Sequence, residues 1–134
     1  MITYIFPSAD VPRAELYPIY RRRFSESAGA CRFGIRLGLE FLGPLHFRKA
    51  KPYEFIWRMD DMLQFAQDCG TNVGLLLDSW HRHHAGANTN DIIEAGRDRI
   101  VHVHFNDSPR LQPDQIRDDH RLLPGEGVID LSAS

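Results

Sequence analysis

Residues 73–81 read Val-Gly-Leu-Leu-Leu-Asp-Ser-Trp-His, and this stretch decides the fold of the 134-residue chain. Its five consecutive apolar or glycine positions predict a strand buried on both faces, as in all-parallel sheets. The run ends in an acid, Asp78, and an imidazole, His81, follows three residues later. Because α/β proteins place their chemistry at the carboxyl ends of parallel strands, we interpret Asp78 as a functional residue.

Further strand-like runs lie on either side of this stretch, at residues 2–6, 35–41 and 100–105. Apolar residues at the helical period separate them, at residues 13–32, 53–69 and 91–96. The segments 45–52, which is basic, and 81–90, which is turn-rich, are predicted to be loops. The alternation of strands and helices predicts a four-stranded parallel sheet with right-handed crossovers.

Composition and charge indicate which partners and which cellular compartment suit this chain. A formal net charge of -2 argues against a general binder of phosphate backbones, so nucleic acid is an unlikely partner. No apolar run approaches the roughly 20 residues that span a bilayer. The residues after Met1 lack a basic leader, so we expect no signal peptide. Cys31 and Cys69 lack metal-site spacing and are predicted to be buried free thiols, which fits a cytoplasmic protein.

Three strand-like runs end in ligand-type side chains: Glu40, Asp78 and His104. Each residue alone is more typical of a solvated strand end than of a site. Three coincident strand ends favour function, because in a barrel those ends converge on one mouth. Two carboxylates and one imidazole suit a divalent cation such as Mn²⁺, Co²⁺, Mg²⁺ or Zn²⁺.

Other polar residues near these strand ends have less certain roles. We predict that only one of His102 and His104 faces the barrel mouth, and that the other packs between strand and helix. His83 and His84 are interpreted as solvated. Arg110 offers a planar fork for a carboxylate, phosphate or polyol, and an ordinary loop cation is an equal alternative.

Four motifs occur in a family-specific order. They are Leu-Gly-Leu-Glu-Phe-Leu-Gly-Pro (37–44), Asn-Val-Gly-Leu-Leu-Leu-Asp-Ser-Trp-His (72–81), Val-His-Val-His-Phe-Asn-Asp (101–107) and Leu-Pro-Gly-Glu-Gly-Val-Ile-Asp (123–130). Together they resemble the xylose isomerase-like TIM-barrel superfamily, in its sugar phosphate isomerase/epimerase branch. The resemblance implies that residues 1–134 form a single partial (β/α)8 domain with strands four to seven, lacking the first strands and strand eight.

The resemblance also implies roles for individual residues. Glu40 resembles the glutamate that binds the metal and moves a substrate proton, and Asp78 and His104 resemble the metal ligands of the next two strands. His81 resembles a histidine that orients substrate oxygens, and Arg110 an arginine that contacts substrate. The implied reaction is the isomerisation or epimerisation of a small sugar or keto acid by proton transfer next to a carbonyl.

The family pattern is incomplete in this chain. The second proton-transferring glutamate is expected on strand eight, and Glu126 precedes that position and is not assigned the role. Either the coding region is truncated or another chain completes the barrel, for example in a homo-oligomer that covers the open barrel edges. We expect the isolated chain to have little or no isomerase activity.

Two alternatives remain. Endonuclease IV shares the fold and the Asp-x-x-His motif, and residues 118–120, Asp-Asp-His, resemble its later zinc pair. That resemblance implies a metal phosphodiesterase, although Glu40 is followed by the isomerase-type Phe-Leu-Gly-Pro. The other alternative is a non-catalytic half-barrel fragment.

Overall fold

The computed structural model describes residues 1–31 and 34–131. Within them, a four-stranded parallel sheet has the order β1 (Ile2–Ile5), β3 (Leu37–Phe41), β5 (Val73–Asp78) and β6 (Ile100–His104). A second, two-stranded antiparallel sheet pairs β2 (Ser8–Ala9) with β4 (Tyr53–Glu54). The prediction of four parallel strands with helices between them is confirmed.

The helices follow the strands in alternation. They are α1 (Arg13–Ala30), α2 (Leu45–Arg48), α3 (Met59–Cys69), α4 (Ser79–His84) and α5 (Thr89–Ala95), and a 3₁₀ turn (Arg97–Arg99) precedes β6. The predicted end of the first helix near Arg32 lies outside the described residues. No helix in the described ranges is long and apolar enough to cross a membrane.

Two segments differ from the prediction. Helix α3 begins at Met59, not near residue 53, because residues 53–54 pair with β2 and Phe55 donates its N–H to the Pro7 carbonyl at 2.7 Å. Phe55 and Ile56 are therefore buried from an extended segment, which apolar spacing alone does not distinguish from a helical turn. The segment 45–52, predicted as a loop, contains the short helix α2, and α4 extends into the segment 81–90, also predicted as a loop.

The core lies on one face of the large sheet. Leu39 and Leu75, which are neighbours in the parallel register, are fully buried beneath Phe65 of α3. The Tyr17 ring of α1 meets the Phe65 ring edge-on, with centroids 5.1 Å apart. Burial of each such side chain stabilises the fold by roughly 1.5–3 kcal/mol. The helices thereby cover one face of the sheet and leave the other face, which carries the ligand-type residues, open.

The register of the sheet brings ligand-type residues to one edge. Asp78 and His104 are direct neighbours at the carboxyl ends of β5 and β6, and Glu40 lies near the same end of β3. A register shift at Leu75/Leu76 precedes this pair. It depends on Gly74, because a Cβ there would lie 2.4 Å from the Arg99 carbonyl oxygen.

The prediction for the two histidines of β6 was wrong. The rings of His102 and His104 contact each other, with centroids 5.2 Å apart, and His102 is exposed rather than packed against a helix. Side chains two positions apart in a strand point to the same face, so both imidazoles lie on the site face of the sheet.

Candidate metal centre

Asp78 has two local roles at the junction of β5 and α4. Its side chain is 1% exposed, and its Oδ1 accepts hydrogen bonds from the N–H groups of Trp80 (2.8 Å) and His81 (3.2 Å). This is an N-cap, which satisfies donors that the first turn of a helix cannot pair internally. The cap leaves Oδ2 facing the open side of the sheet, where it accepts a hydrogen bond from Arg121 at 2.8 Å.

The charge on Asp78 is favoured in this position. Burial acts to raise the pKa of Asp78. Four interactions act in the opposite direction and outweigh burial: the electrostatic interaction with the His81 side chain, the hydrogen bond from Arg121, the charge of Arg121 and the hydrogen bond from the His81 N–H. The pKa therefore lies below its ordinary value, and Asp78 is a carboxylate at neutral pH.

His81 lies beside Asp78 because α4 begins immediately after β5. The His81 side chain is buried, and burial lowers its pKa to about 4. Its Nε2 is 3.0 Å from an Arg121 guanidinium nitrogen, and Nδ1 has no hydrogen-bond partner among the described residues. A neutral, buried imidazole with an unpartnered nitrogen has the protonation state that a metal ligand needs.

Glu40 completes a cluster of three side chains. Ligand atoms of Glu40, Asp78 and His81 all lie within 4.8 Å of one another. Burial raises the pKa of Glu40 to about 7, and the negative charge of Asp78 acts in the same direction. Two carboxylates this close repel each other, so a cation between them stabilises the ionised pair.

His104 approaches the same two carboxylates from β6. Its Nδ1 is 3.5 Å from Glu40 Oε1 and 3.7 Å from Asp78 Oδ2. The structure thus brings together Glu40, Asp78 and His104, the three residues expected to bind metal, and adds His81, which was expected to bind substrate. These roles stay predictions.

Arg121 was missed by sequence reasoning. Its guanidinium contacts Asp78 Oδ2, His81 Nε2 and Asp118 Oδ1, the last at 3.0 Å, and lies 5.5 Å above the Trp80 ring centroid. Arg121 follows a proline- and aspartate-rich segment without helical or strand periodicity. The i, i+3 spacing from Asp118 is a weak signal, so only the tertiary structure identifies Arg121 as part of the site.

A cavity of about 290 Å³ opens over the cluster. Tyr4, Phe6 and Phe47 line it together with Glu40, His81, Asp118 and Arg121. The donor set fits a divalent cation: two carboxylates and neutral imidazole nitrogen are ligands that Zn²⁺, Mn²⁺ and Co²⁺ accept.

Two other predicted residues lie elsewhere. Arg110 is exposed and lines a different cavity, beside Arg48 and His84. Its predicted contact with substrate stays a prediction. Glu126 accepts a hydrogen bond from the Leu123 N–H within its own turn, at 3.3 Å, in agreement with leaving it out of the site.

Asp107 is a second buried carboxylate that sequence reasoning did not single out. Its two oxygens accept hydrogen bonds from four backbone N–H groups at 2.8–3.1 Å, those of Ser108, Gly125, Gly127 and Ile129. Asp107 therefore fastens the segment after residue 122 to the end of β6.

A parallel α/β sheet with an oxygen- and nitrogen-rich cluster at the carboxyl ends of its strands is the arrangement that TIM-barrel proteins have at their active sites. The family model for the xylose isomerase-like TIM barrel matches residues 2–133, and the chain belongs to this family.

Relatives of known name support this placement. The chain is 31% identical over 101 residues to an inosose isomerase of Bacillus licheniformis and 29% identical over 102 residues to that of Bacillus subtilis. Each match covers 75% of this chain and 34% of the relative. The chain thus spans about a third of the length of the curated relatives it matches.

Solved structures match over nearly the whole chain. A xylose isomerase domain protein from Alicyclobacillus acidocaldarius superposes with a TM-score of 0.90 and 33% identity, covering 98% of this chain and 47% of that one. An IolI protein with a zinc atom gives a TM-score of 0.80 at 23% identity, covering 98% and 46%. At this low identity, the similarity to the IolI protein concerns the fold alone.

Proposed function

We propose that this chain is the metal-binding part of a sugar isomerase or epimerase that acts by proton transfer next to a carbonyl group. The observation that carries the proposal is the convergence of Glu40, Asp78 and His81, with His104 beside the two carboxylates. The inosose isomerase relatives support the reaction class. The zinc atom in the IolI protein supports a divalent cation in the fold.

Each residue of the cluster has a defined task in this proposal. Glu40, Asp78 and His104 hold the cation, and His81 orients the oxygens of a small sugar or keto-acid substrate. A bound divalent cation supplies the Lewis acidity that polarises the carbonyl and the neighbouring hydroxyl. Glu40 removes the proton from the carbon beside the carbonyl, since it is the carboxylate of the cluster that lines the cavity and its burial favours uptake of a proton.

A second proton carrier completes such a reaction on the opposite face or neighbouring carbon. Among the described glutamates, only Glu40 belongs to the cluster. We therefore keep the expectation that the isolated 134-residue chain has little or no activity, and that a full barrel built with the missing strands of a relative restores it. Operation in the cytoplasm belongs to the same proposal.

The metal site is tested by titration calorimetry with Mn²⁺, Zn²⁺ and Co²⁺. Asp78→Asn keeps a side chain that caps α4 but removes the charge, so we expect affinity to fall about tenfold or more. Asp119→Asn removes the same charge from a side chain that is 88% exposed and serves as the matched control. Equal affinities of Asp78→Asn and the unsubstituted chain would exclude this site.

The proton-transfer role is tested in the completed barrel. Glu40→Gln preserves shape but removes the base, so exchange of the substrate proton with solvent deuterium should fall by about 10²–10⁴-fold. Circular dichroism checks that the variant is folded, and metal titration gives the cation concentration at which its site is filled for the exchange measurement. Undiminished exchange in a folded Glu40→Gln variant would refute Glu40 as the proton carrier.

The phosphodiesterase alternative requires Asp118 and His120 to bind metal. His120 Nδ1 accepts the backbone N–H of Arg117 at 3.2 Å, and Asp118 pairs with Arg121. Neither belongs to the cluster of Glu40, Asp78 and His81. Cleavage of an abasic-site duplex by the completed barrel, with no isomerase activity, would reverse this preference.

A further inference from the structure

A second cavity, of about 420 Å³, is lined in part by residues of α2 and α4. Its charged and imidazole-bearing lining residues are Arg48, His83, His84 and Arg110. No carboxylate joins them in the part of the chain that the structure describes. This local excess of basic groups contrasts with the net charge of -2 for the whole chain.

Arg48 is held in a fixed position at the end of α2. Its guanidinium carbon lies 3.9 Å above the Trp57 ring centroid, a cation–π contact, and its Nε is buried without a hydrogen-bond partner among the described residues. No described acid forms a salt bridge with Arg48 or with Arg110. A guanidinium that is stacked, unpaired by an acid and partly buried is preorganised to donate hydrogen bonds to an anion.

The cavity lies close to the metal centre along two elements. Phe47 lines the metal-centre cavity and the next residue, Arg48, lines this one. On α4, His81 belongs to the metal centre, while His84, one turn later, lines this cavity and lies 3.1 Å from Ser108 Oγ. The volume is within the range of small-molecule sites.

We propose that this cavity binds a phosphate group, with Arg48 and Arg110 as the charged donors. Arginine suits this role because its planar fork pairs with tetrahedral oxyanions and it keeps its charge at all physiological pH values. The phosphate belongs either to the distal end of a sugar phosphate substrate or to free inorganic phosphate. The first assignment rests on the proposed function, whereas the binding of phosphate does not.

The test is calorimetric titration of the metal-free chain with inorganic phosphate at constant ionic strength. We expect saturable one-to-one binding, and about tenfold weaker binding in Arg48→Gln and in Arg110→Gln, because each substitution removes a charged hydrogen-bond donor. Lys49→Gln removes the same charge from the next, exposed position and should bind as the unsubstituted chain does. Arg110→Gln changes an exposed loop residue, so its result stands even if Arg48→Gln is destabilised.

Three outcomes would overturn the proposal. They are absence of saturable binding, equal loss in Lys49→Gln and the two arginine variants, or no loss in either arginine variant. Ribose 5-phosphate and ribose separate the two sources of phosphate. Tighter binding of the ester than of inorganic phosphate, with no binding of ribose, supports the substrate assignment, and equal binding of ester and phosphate supports the free anion.

A further variant separates this proposal from the proposed function. Asp78→Asn should lose metal affinity yet bind phosphate unchanged in metal-free buffer. If the unsubstituted chain does not bind metal, the result of the phosphate titration still stands. If it does not bind phosphate, the result of the metal titration still stands.

Discussion

At the candidate metal centre, the guanidinium of Arg121 supplies positive charge between ligand-type side chains. It contacts Asp78 Oδ2, an atom that the proposed cation would use, and also His81 Nε2. Asp78 is buried, so removal of its cationic partner leaves a charge that is poorly solvated. Arg121 and a bound metal ion should therefore compete for the same carboxylate.

This competition predicts the behaviour of Arg121→Gln. We expect the variant to bind Mn²⁺ or Zn²⁺ about tenfold more tightly, because the competing cation is gone. The metal-free variant should lose about 1–2 kcal/mol of unfolding free energy, a value reduced because Arg121 is 31% exposed. Titration calorimetry and urea denaturation measure the two effects.

Arg117→Gln is the matched control for this experiment. Arg117 lies in the same segment, and its guanidinium donates to the backbone carbonyls of Asp114 and Ile116 rather than to a carboxylate. Unchanged or weaker metal binding in Arg121→Gln would show that the guanidinium does not compete with the metal.

At the scale of elements, the segment after β6 depends on one buried side chain. Asp107 accepts four backbone N–H groups and its own backbone pairs with Leu122 in both directions at 2.9 Å. Gly127 fits against it only without a side chain, since a Cβ would lie 2.2 Å from the Ser108 carbonyl oxygen. The same segment carries Arg121 to the metal centre, so its anchoring affects the site.

Asp107→Asn should destabilise the fold by roughly 3 kcal/mol, because the amide weakens charge-assisted hydrogen bonds and brings its own N–H towards backbone donors. Burial acts to raise the pKa of Asp107, but the hydrogen bonds from the backbone N–H groups outweigh burial and hold the pKa below its ordinary value. The stabilisation is therefore full above about pH 4 and is lost as the pH falls through the folded-state pKa.

Urea denaturation between pH 2.5 and pH 7 checks this prediction. The unsubstituted chain should lose more stability on acidification than Asp107→Asn, which has already lost the contribution of the carboxylate. Asp119→Asn, at an exposed position, provides the baseline. Parallel acid profiles for the unsubstituted chain and Asp107→Asn would contradict the role of this carboxylate.

At the scale of the whole molecule, the large sheet has two outer strands and one face without helices. β1 and β6 each pair with only one described strand. On the site face, Ile2 is 46% and Tyr4 is 59% exposed, and on the opposite face of β6 Val103 is 48% exposed. Unpaired strand edges with apolar side chains favour association with other chains.

We expect the purified 134-residue chain to form homo-oligomers that cover these surfaces. The double variant Tyr4→Lys/Val103→Lys should shift it to the monomer, because charges on outer strands oppose edge-to-edge pairing. Ile93→Lys on α5 alters an apolar side chain that is 71% exposed but away from the sheet and is the control. Sedimentation velocity measures the result, and a monomeric unsubstituted chain would rule out this assembly.

Much of this architecture is encoded in local patterns of the sequence. The buried run at 73–77 and its two neighbours determine the parallel strands, because period and apolar content depend on nearby residues alone. The ends of those runs place Glu40, Asp78 and His104 at one edge, as the structure has them. The helix predicted from the local pattern was wrong at residues 53–58, because buried Phe55 and Ile56 have the spacing of a helical face but lie in an extended segment.

The tertiary structure alone decided which distant side chains complete the site. Arg121 meets Asp78 across 43 residues, and the Asp107 carboxylate meets the Ile129 N–H across 22 residues. The contacting residues after β6 lie in irregular segments, whose path is determined by hydrogen bonds and packing rather than by a repeating pattern. The sequence therefore specifies the strands and the residues at their ends. The position of the Arg121 guanidinium beside Asp78 depends instead on the path that the folded chain takes after β6.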